Sequence, residues 1–326
     1  MIITRSPLRI TLGGGGTDLP SYYKLKNGFT FSAAINKYVY INIHKTFQEG
    51  FYLKYSSFEK VKKINKIKHP LIREALKELK LVDKNLEIGS QADIPAGTGL
   101  GSSASFTTAL LKGLYLSQNK DTSKNGLAEL ASKIEIEKLN DPVGKQDQYI
   151  ASHGGIKVFN FLKNGKVKIL KNNIKKKYIN NLEKNLLLFF TGFSRKSTEI
   201  LKEQNDKTKI NSQKMIQNLD YIKELGIKSL ESIRNGNFNE FCKIMNEHWI
   251  FKKERSNKMS NLFINECYEY ALSNGADAGK VVGAGGGGFL MFYSKNKKKL
   301  QKALKNKGLN EVDFNFDYEG TKVMLK

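Results

Sequence analysis

Runs rich in β-branched and aromatic residues at 38–44, 86–92, 156–161 and 186–191 predict strands. Apolar positions three and four apart predict helices over 70–79, 103–116, 127–139 and 197–203, with a lysine-rich amphipathic stretch over 208–234. Two more helices are expected at 237–253 and 261–274. An apolar run at 280–282 then leads through a glycine-dense turn to a strand at 289–293. A helix over 295–306 and two short strand-like pieces close the chain. Strands dominate the first third, and mixed elements follow a basic polar stretch at 163–181. The pattern predicts an α+β protein of two domains, 1–170 and 171–326.

The strongest apolar run, Leu186 to Phe190, is far short of the ~20 residues that span a bilayer. The opening residues MIITRSPLRI lack the basic, apolar and small-residue segments of a signal peptide, so none is expected. Cys242 and Cys267 are too few for a disulfide scaffold or a zinc site. A cytoplasmic location and no membrane partner are expected.

At 326 residues, with 40% hydrophobic and 26% charged positions, the chain is long and apolar enough for a substantial core. Its net charge of +24 invites a nucleic-acid reading. The make-up of that charge argues otherwise: six arginines against forty-nine lysines, the lysines spread along the chain. Nucleic-acid binders add forked arginines and interleaved aromatics, and neither pattern is present. The lysine excess reads as solvated surface, with no nucleic-acid partner expected. Each of the few arginines is correspondingly informative.

Glycine is concentrated at 13–16, 97–101 and 283–288, each beside a strand-like run. The middle cluster, Pro95-Ala-Gly-Thr-Gly-Leu-Gly-Ser-Ser-Ala-Ser105, runs directly into a helix. Gly97, Gly99 and Gly101 permit consecutive N–H groups to point inward, and the helix start adds partial positive charge. Ser102 and Ser103 can cap the helix, bind phosphate or join the shell of a metal. The physics is that of a phosphate cradle. It is not a Walker A loop, since no Lys-Ser/Thr follows, and the dinucleotide fingerprint fails because its third glycine falls on Ser102. Phosphoryl transfer also needs a divalent cation and a group that positions the acceptor hydroxyl. Glu135 and Asp147 are the carboxylates in reach of those roles, with Glu137 expected to face elsewhere.

The middle cluster closely resembles the nucleotide-binding signature of the GHMP small-molecule kinases. Ser6-Pro-Leu-Arg-Ile-Thr-Leu-Gly-Gly-Gly-Gly-Thr-Asp-Leu-Pro20 is similar to that family's first motif, and Gly283-Ala-Gly-Gly-Gly-Gly-Phe289 to its third. The three motifs stand in order over nearly the whole chain. The resemblance implies an N-terminal domain like ribosomal protein S5 domain 2 and a ferredoxin-like C-terminal domain, with ATP and sugar meeting between them. It implies Pro95, Gly97, Gly99, Leu100, Gly101, Ser102, Ser103 and Ala104 at the nucleotide, and Ser103 with Glu135 at Mg²⁺. Asp147 would act on the acceptor hydroxyl with Arg9 against it. Gly15, Thr17, Asp18, Gly286 and Gly287 would join Arg9 and Asp147 around the substrate. His153 is expected to be structural.

The Gly-Gly-Gly-Thr-Asp form of motif one departs from the Gly-Glu-His-Thr-Asp form of galactokinases. With Lys145-Gln-Asp-Gln-Tyr149 and Thr191-Gly-Phe-Ser-Arg-Lys-Ser197, it resembles the bacterial heptose 7-phosphate kinases. Those enzymes phosphorylate the anomeric hydroxyl to give a 1,7-bisphosphate for nucleotide-activated heptose and surface polysaccharide. A substrate that already carries phosphate needs a second anion site, and Arg195 with Lys196 and Ser197 is the expected one. A homodimer is compatible with this reading. So, as rivals, are a kinase of an unphosphorylated sugar and a non-catalytic sugar sensor.

Overall fold

The computed structural model describes residues 1–81, 85–193, 198–210 and 212–326. Its first half runs β1 (Ile2–Gly14), α1 (Pro20–Lys26), β2 (Gly28–Lys45), β3 (Phe51–Lys54), β4 (Phe58–Val61), α2 (Pro70–Glu78) and β5 (Leu86–Ala92). Then follow α3 (Ser102–Ser117), α4 (Lys124–Lys133), α5 (Gln146–His153), β6 (Ile156–Phe161) and β7 (Val167–Leu170). The second half comprises α6 (Lys176–Asn185), β8 (Leu186–Phe190), α7 (Thr198–Lys209), α8 (Gln213–Arg234), α9 (Phe238–Lys253) and α10 (Leu262–Ser273). It ends with β9 (Ala278–Val281), β10 (Phe289–Tyr293), α11 (Lys297–Asn306), β11 (Asn310–Glu311) and β12 (Lys322–Leu325).

Two sheets organise these elements. The first is ordered β12-β1-β2-β5-β3-β4, with β6 also pairing β2 and β7 pairing β6. The long β2 makes this branching arrangement: its first half pairs β6 and its second half β5, while β1 runs along its other side. The second sheet is ordered β11-β8-β10-β9 and is antiparallel throughout. Every residue of β9 and β10 is buried, as is nearly all of β8. Continuous apolar runs such as Leu-Leu-Leu-Phe-Phe suit strands covered on both faces. The α+β reading holds, and β12 crosses back from the end of the chain to pair with β1.

Several sequence expectations need correction. β1 is hidden in the sequence, because Arg5, Pro7 and Arg9 interrupt its apolar pattern; the register slips between Pro7 and Leu8, which accommodates a residue with no N–H. The helix expected over 127–139 is two pieces: α4, then a π-helical turn at Ile134–Lys138. The amphipathic stretch over 208–234 belongs to the end of α7 and the whole of α8. α1, α5 and α6 are helices that short length and a strongly polar sequence concealed.

One apolar core joins the sheets. Leu8, Ile10 and Leu12 of β1 pack in the same cluster as Leu186 and Leu188 of β8 and Met291 of β10. A second cluster lies between β2, β5, α2 and α3, and fixes α3 behind the glycine loop that precedes it. Between the two halves lies a cavity of about 570 Å³, and all three glycine clusters reach its wall.

Candidate active site

The loop ahead of α3 has the predicted form. Gly97, Gly99 and Gly101 all have positive φ, and Gly101 in the left-handed region serves as N-cap, without a side-chain capping bond. A β-carbon on Gly99 would stand 2.7 Å from the Val282 carbonyl oxygen, so residue 99 must lack one. Gly97, Gly99, Gly101, Ser102, Ser103 and Ala104 line the cavity. Pro95 and Leu100 do not: the Leu100 side chain is buried in the core, and its carbonyl accepts the Arg9 N–H at 2.9 Å. The Gly283–Gly288 turn packs on this loop backbone to backbone, with Gly283 against Gly99 and Gly288 against Thr98. Gly286 and Gly287, expected at the substrate, instead meet Met259 and Phe193 and stay off the cavity wall.

Arg9 and Asp147 meet at the centre. The guanidinium donates from Nε to Asp147 Oδ1 at 2.7 Å and from Nη2 to Oδ2 at 2.6 Å. Its Nη1 donates to the Gly99 carbonyl, which fastens the pair to the glycine loop. Arg9 comes from β1 and Asp147 from the first turn of α5. Gln146 supports the carboxylate, donating from Nε2 to Asp147 Oδ1 at 3.0 Å and to Thr11 Oγ1 at 3.0 Å. With both oxygens held by the guanidinium, the Asp147 carboxylate is fixed in place to orient a hydroxyl.

Asp18 lies beside this pair. It accepts the Gly16 N–H at 3.1 Å and the Gln146 N–H at 3.2 Å. Burial and the neighbouring Asp147 push its carboxyl up to about 6. Gly15 and Gly16 line the cavity with Asp18. Thr17, expected at the substrate, is fully buried and turned away, its hydroxyl bonding Phe29 N–H and carbonyl at 3.0 and 2.8 Å. It anchors the loop and does not line the cavity.

Glu135 sits on the π-helical turn, a feature frequent at functional sites. It is buried, accepting the Ser103 hydroxyl at 2.7 Å and Gln148 Nε2 at 3.0 Å, while Glu137 is exposed. Burial without an adjacent cation pushes its carboxyl up to about 7. A hydroxyl and an under-compensated carboxylate on a cavity wall are hard oxygen donors that suit Mg²⁺, which keeps waters and phosphate oxygens in its shell. His153 is structural in its contacts, its Nδ1 bonding the Tyr149 carbonyl at 2.9 Å and its ring stacked on Tyr149.

Some cavity residues escaped the sequence reading. His69 stacks on Phe106 at 4.9 Å with Tyr55 edge-on at 4.6 Å, and Val39 and Leu71 line the same cavity. The lining also includes His248, Arg255, Lys280 and Gln204. The one signal in the chain is that Arg255 is among only six arginines. Arg195, Lys196 and Ser197 lie outside the described residues.

Two family models match the chain: the GHMP kinases N terminal domain over residues 65–155 and the GHMP kinases C terminal domain over 229–309. The chain belongs to the GHMP kinase family, and is a phosphotransferase of that family. A D-glycero-alpha-D-manno-heptose 7-phosphate kinase of Campylobacter jejuni is 31% identical over 98% of both chains. Among solved structures, a D-glycero-D-manno-heptose 1-phosphate kinase of Bacteroides thetaiotaomicron superimposes with a TM-score of 0.83 at 26% identity, covering 100% of this chain and 99% of that one. A Lactococcus lactis galactokinase complexed with galactose shares the fold, with a TM-score of 0.77 at 18% identity over 99% of this chain and 94% of its own. Among the described residues no helix is long and apolar enough to cross a membrane.

Proposed function

We propose that the protein transfers the γ-phosphoryl group of ATP to the anomeric hydroxyl of a D-glycero-D-manno-heptose 7-phosphate, giving the 1,7-bisphosphate. The observation that carries the chemistry is the Arg9–Asp147 pair, fastened to the glycine loop on one side and adjoining Asp18 on the other. The identity with the Campylobacter jejuni enzyme supports the choice of sugar. Gly97 to Ala104 cradle the phosphates, and the apolar end with His69, Phe106 and Tyr55 takes the base. Ser103 and Glu135 would hold Mg²⁺, which would supply charge neutralisation at the phosphate oxygens. Asp147 holds the C1 hydroxyl in line and receives or relays its proton as the new O–P bond forms and the bond to the ADP oxygen breaks. Arg9 fixes the carboxylate and offsets charge on the attacking oxygen. Asp18 and Gly15 border the sugar. The product is a sugar bisphosphate of the kind that precedes nucleotide activation, and the reaction belongs in the cytoplasm.

A coupled ADP-release assay over phosphorylated and free heptoses and hexoses tests the reading, with the product located by phosphorus NMR. Heptose 7-phosphate is expected to give the highest kcat/KM and an anomeric phosphate. Asp147→Asn should lower kcat by two to four orders of magnitude while nucleotide binding stays close to the parent's. A preference for free fucose or galactose, or no turnover of any sugar, would overturn it.

A further inference from the structure

The cavity lining holds buried positive charge that the chemistry above does not use. Arg255 follows α9, and Lys280 lies on β9; each is only 3% exposed. Burying a cation is costly unless an anion or a full set of hydrogen bonds accompanies it. Here, among the described residues, the hydrogen bonds of both cations go to neutral oxygens. Arg255 donates to Asn218 Oδ1 at 3.1 Å, the Gly15 carbonyl at 3.3 Å and Gln204 Oε1 at 3.4 Å, and its Nη2 has no partner. Lys280 Nζ donates to the Leu12 carbonyl at 3.1 Å, leaving two N–H donors uncommitted. Asp18 is the carboxylate whose field reaches Arg255, and it is already engaged by Gly16 and Gln146.

The neighbouring groups add no compensating charge. His248 donates from Nε2 to the Gly14 carbonyl at 2.7 Å, so its unpartnered Nδ1 carries a lone pair. Burial and the adjacent Lys280 and Arg255 hold its pKa far below the usual range, and the ring is neutral. Room for the guanidinium comes from Gly16, where a β-carbon would lie 2.5 Å from Arg255 Nη1. Arg255, Lys280 and His248 line the cavity, with Arg255 Nη2 and His248 Nδ1 themselves buried and unpartnered. Arg255 and Lys280 match a phosphate monoester dianion, whose charge would hold Lys280 in its protonated form.

We infer that Arg255 and Lys280 form the site for the phosphate that the sugar substrate already carries. The contacts of Arg255 with the Gly15–Gly16 turn, rather than with the glycine loop ahead of α3, favour the sugar's phosphate over those of the nucleotide. The glycine loop bonds Arg9 through Gly99, Arg9 bonds Asp147, and Gln146 joins Asp147 to Asp18, which shares the Gly15–Gly16 turn with Arg255. The inference rests on the proposed reaction and assigns its specificity to residues distinct from those that move the phosphoryl group.

Steady-state kinetics on the full chain compare Arg255→Gln and Lys280→Met with the parent, using heptose 7-phosphate and free heptose as paired acceptors. Each variant should lose ten- to hundredfold in kcat/KM for the phosphorylated sugar, mainly through KM. The rate on the free sugar should stay within threefold and the KM for ATP should be unchanged. Arg255→Lys, which keeps the charge and loses the fork, should lose less than Arg255→Gln. The ratio of the two sugars within one variant cancels any misfolded fraction. Equal losses on both sugars would mean that the cations only brace the glycine turn, and a loss confined to ATP would place the nucleotide there; either overturns the inference. If the parent turns over no sugar phosphate, the proposed reaction fails by itself. Calorimetry with inorganic phosphate, the nucleotide loop saturated with ADP, then decides the site alone: binding by the parent that both variants lose sustains it. Absent or unaltered binding removes it.

Discussion

A lysine sealed away from water gives up its proton early, and Lys280 is such a residue. Burial and the adjacent Arg255 lower its pKa to about 7. Between pH 7 and the ordinary lysine range near 10.5, the unfolded chain holds this proton and the folded one does not, so stability rises with pH across that window. Below pH 7 the cost of burying the cation is borne in full. Lys280→Met removes this titration and leaves the surface lysines common to both proteins. The difference in unfolding free energy between variant and parent should therefore shift toward the parent by up to about 1.4 kcal/mol per pH unit from 7 to 10, and level off below about pH 6. Chemical denaturation at a series of pH values reads this directly; a flat difference would show that Lys280 titrates normally. Arg9 and Asp147 were legible in the chain because each sits inside a short local motif. Arg255, Lys280 and His248 were not: helix α9 and strand β9 bring them together, and each alone reads as one polar position in an apolar pattern.

At the scale of elements, the glycine loop and α3 were legible because positive-φ glycines followed by small residues and a helix carry their own geometry. The π-helical turn was not. Its sequence, Ile-Glu-Ile-Glu-Lys, continues the periodicity of α4, and the wider turn shows only in the Leu139 N–H bonding back to the Ile134 carbonyl at 3.0 Å. Contacts between glycine loops were equally invisible, since a cluster gives no sign of which backbone it will meet. Those contacts make Gly99→Ala a sharp test. Residue 99 has φ +85, and the added methyl would press on the Val282 carbonyl. Gly165, at φ +83 with nothing within 4 Å of where a β-carbon would stand, bears only the backbone strain. Gly165→Ala should cost about 1 kcal/mol. Gly99→Ala should cost about 2–3 kcal/mol and raise the KM for ATP severalfold, as the loop shifts off its neighbour. Equal costs in denaturant melts, with an unchanged KM, would show that the two loops are not in tight contact.

Across the whole molecule, the two halves read from the sequence share more than a cleft. Strand β12 is the clearest sign, pairing Thr4 with Val323 and Arg5 with Lys322 at the edge of the first sheet. Ser6 and Thr321 hydroxyls meet beside it at 2.8 Å, and Tyr38 donates to Asp317 at 3.0 Å. Beneath them, β1 packs its apolar face in the same cluster as β8 and β10. Separating the halves would expose Leu8, Ile10 and Leu12 to water, at about 1.5–3 kcal/mol for each side chain. Such a loss is a large fraction of the roughly 5–15 kcal/mol that holds a typical domain folded. The intact chain should therefore unfold in one calorimetric transition, with the calorimetric and van't Hoff enthalpies close to equal. Residues 1–170 expressed alone should lack the sharp side-chain NMR dispersion of a packed core. A chain ending at residue 311 should melt several degrees below the parent, because β1 loses its edge partner and Tyr38 its acceptor. Two resolved transitions, or a well-folded 1–170 fragment, would show that the halves are independent bodies. The cavity would then have to be assembled from two separately moving walls, and the buried cations on the far wall could reach the sugar only when the halves close.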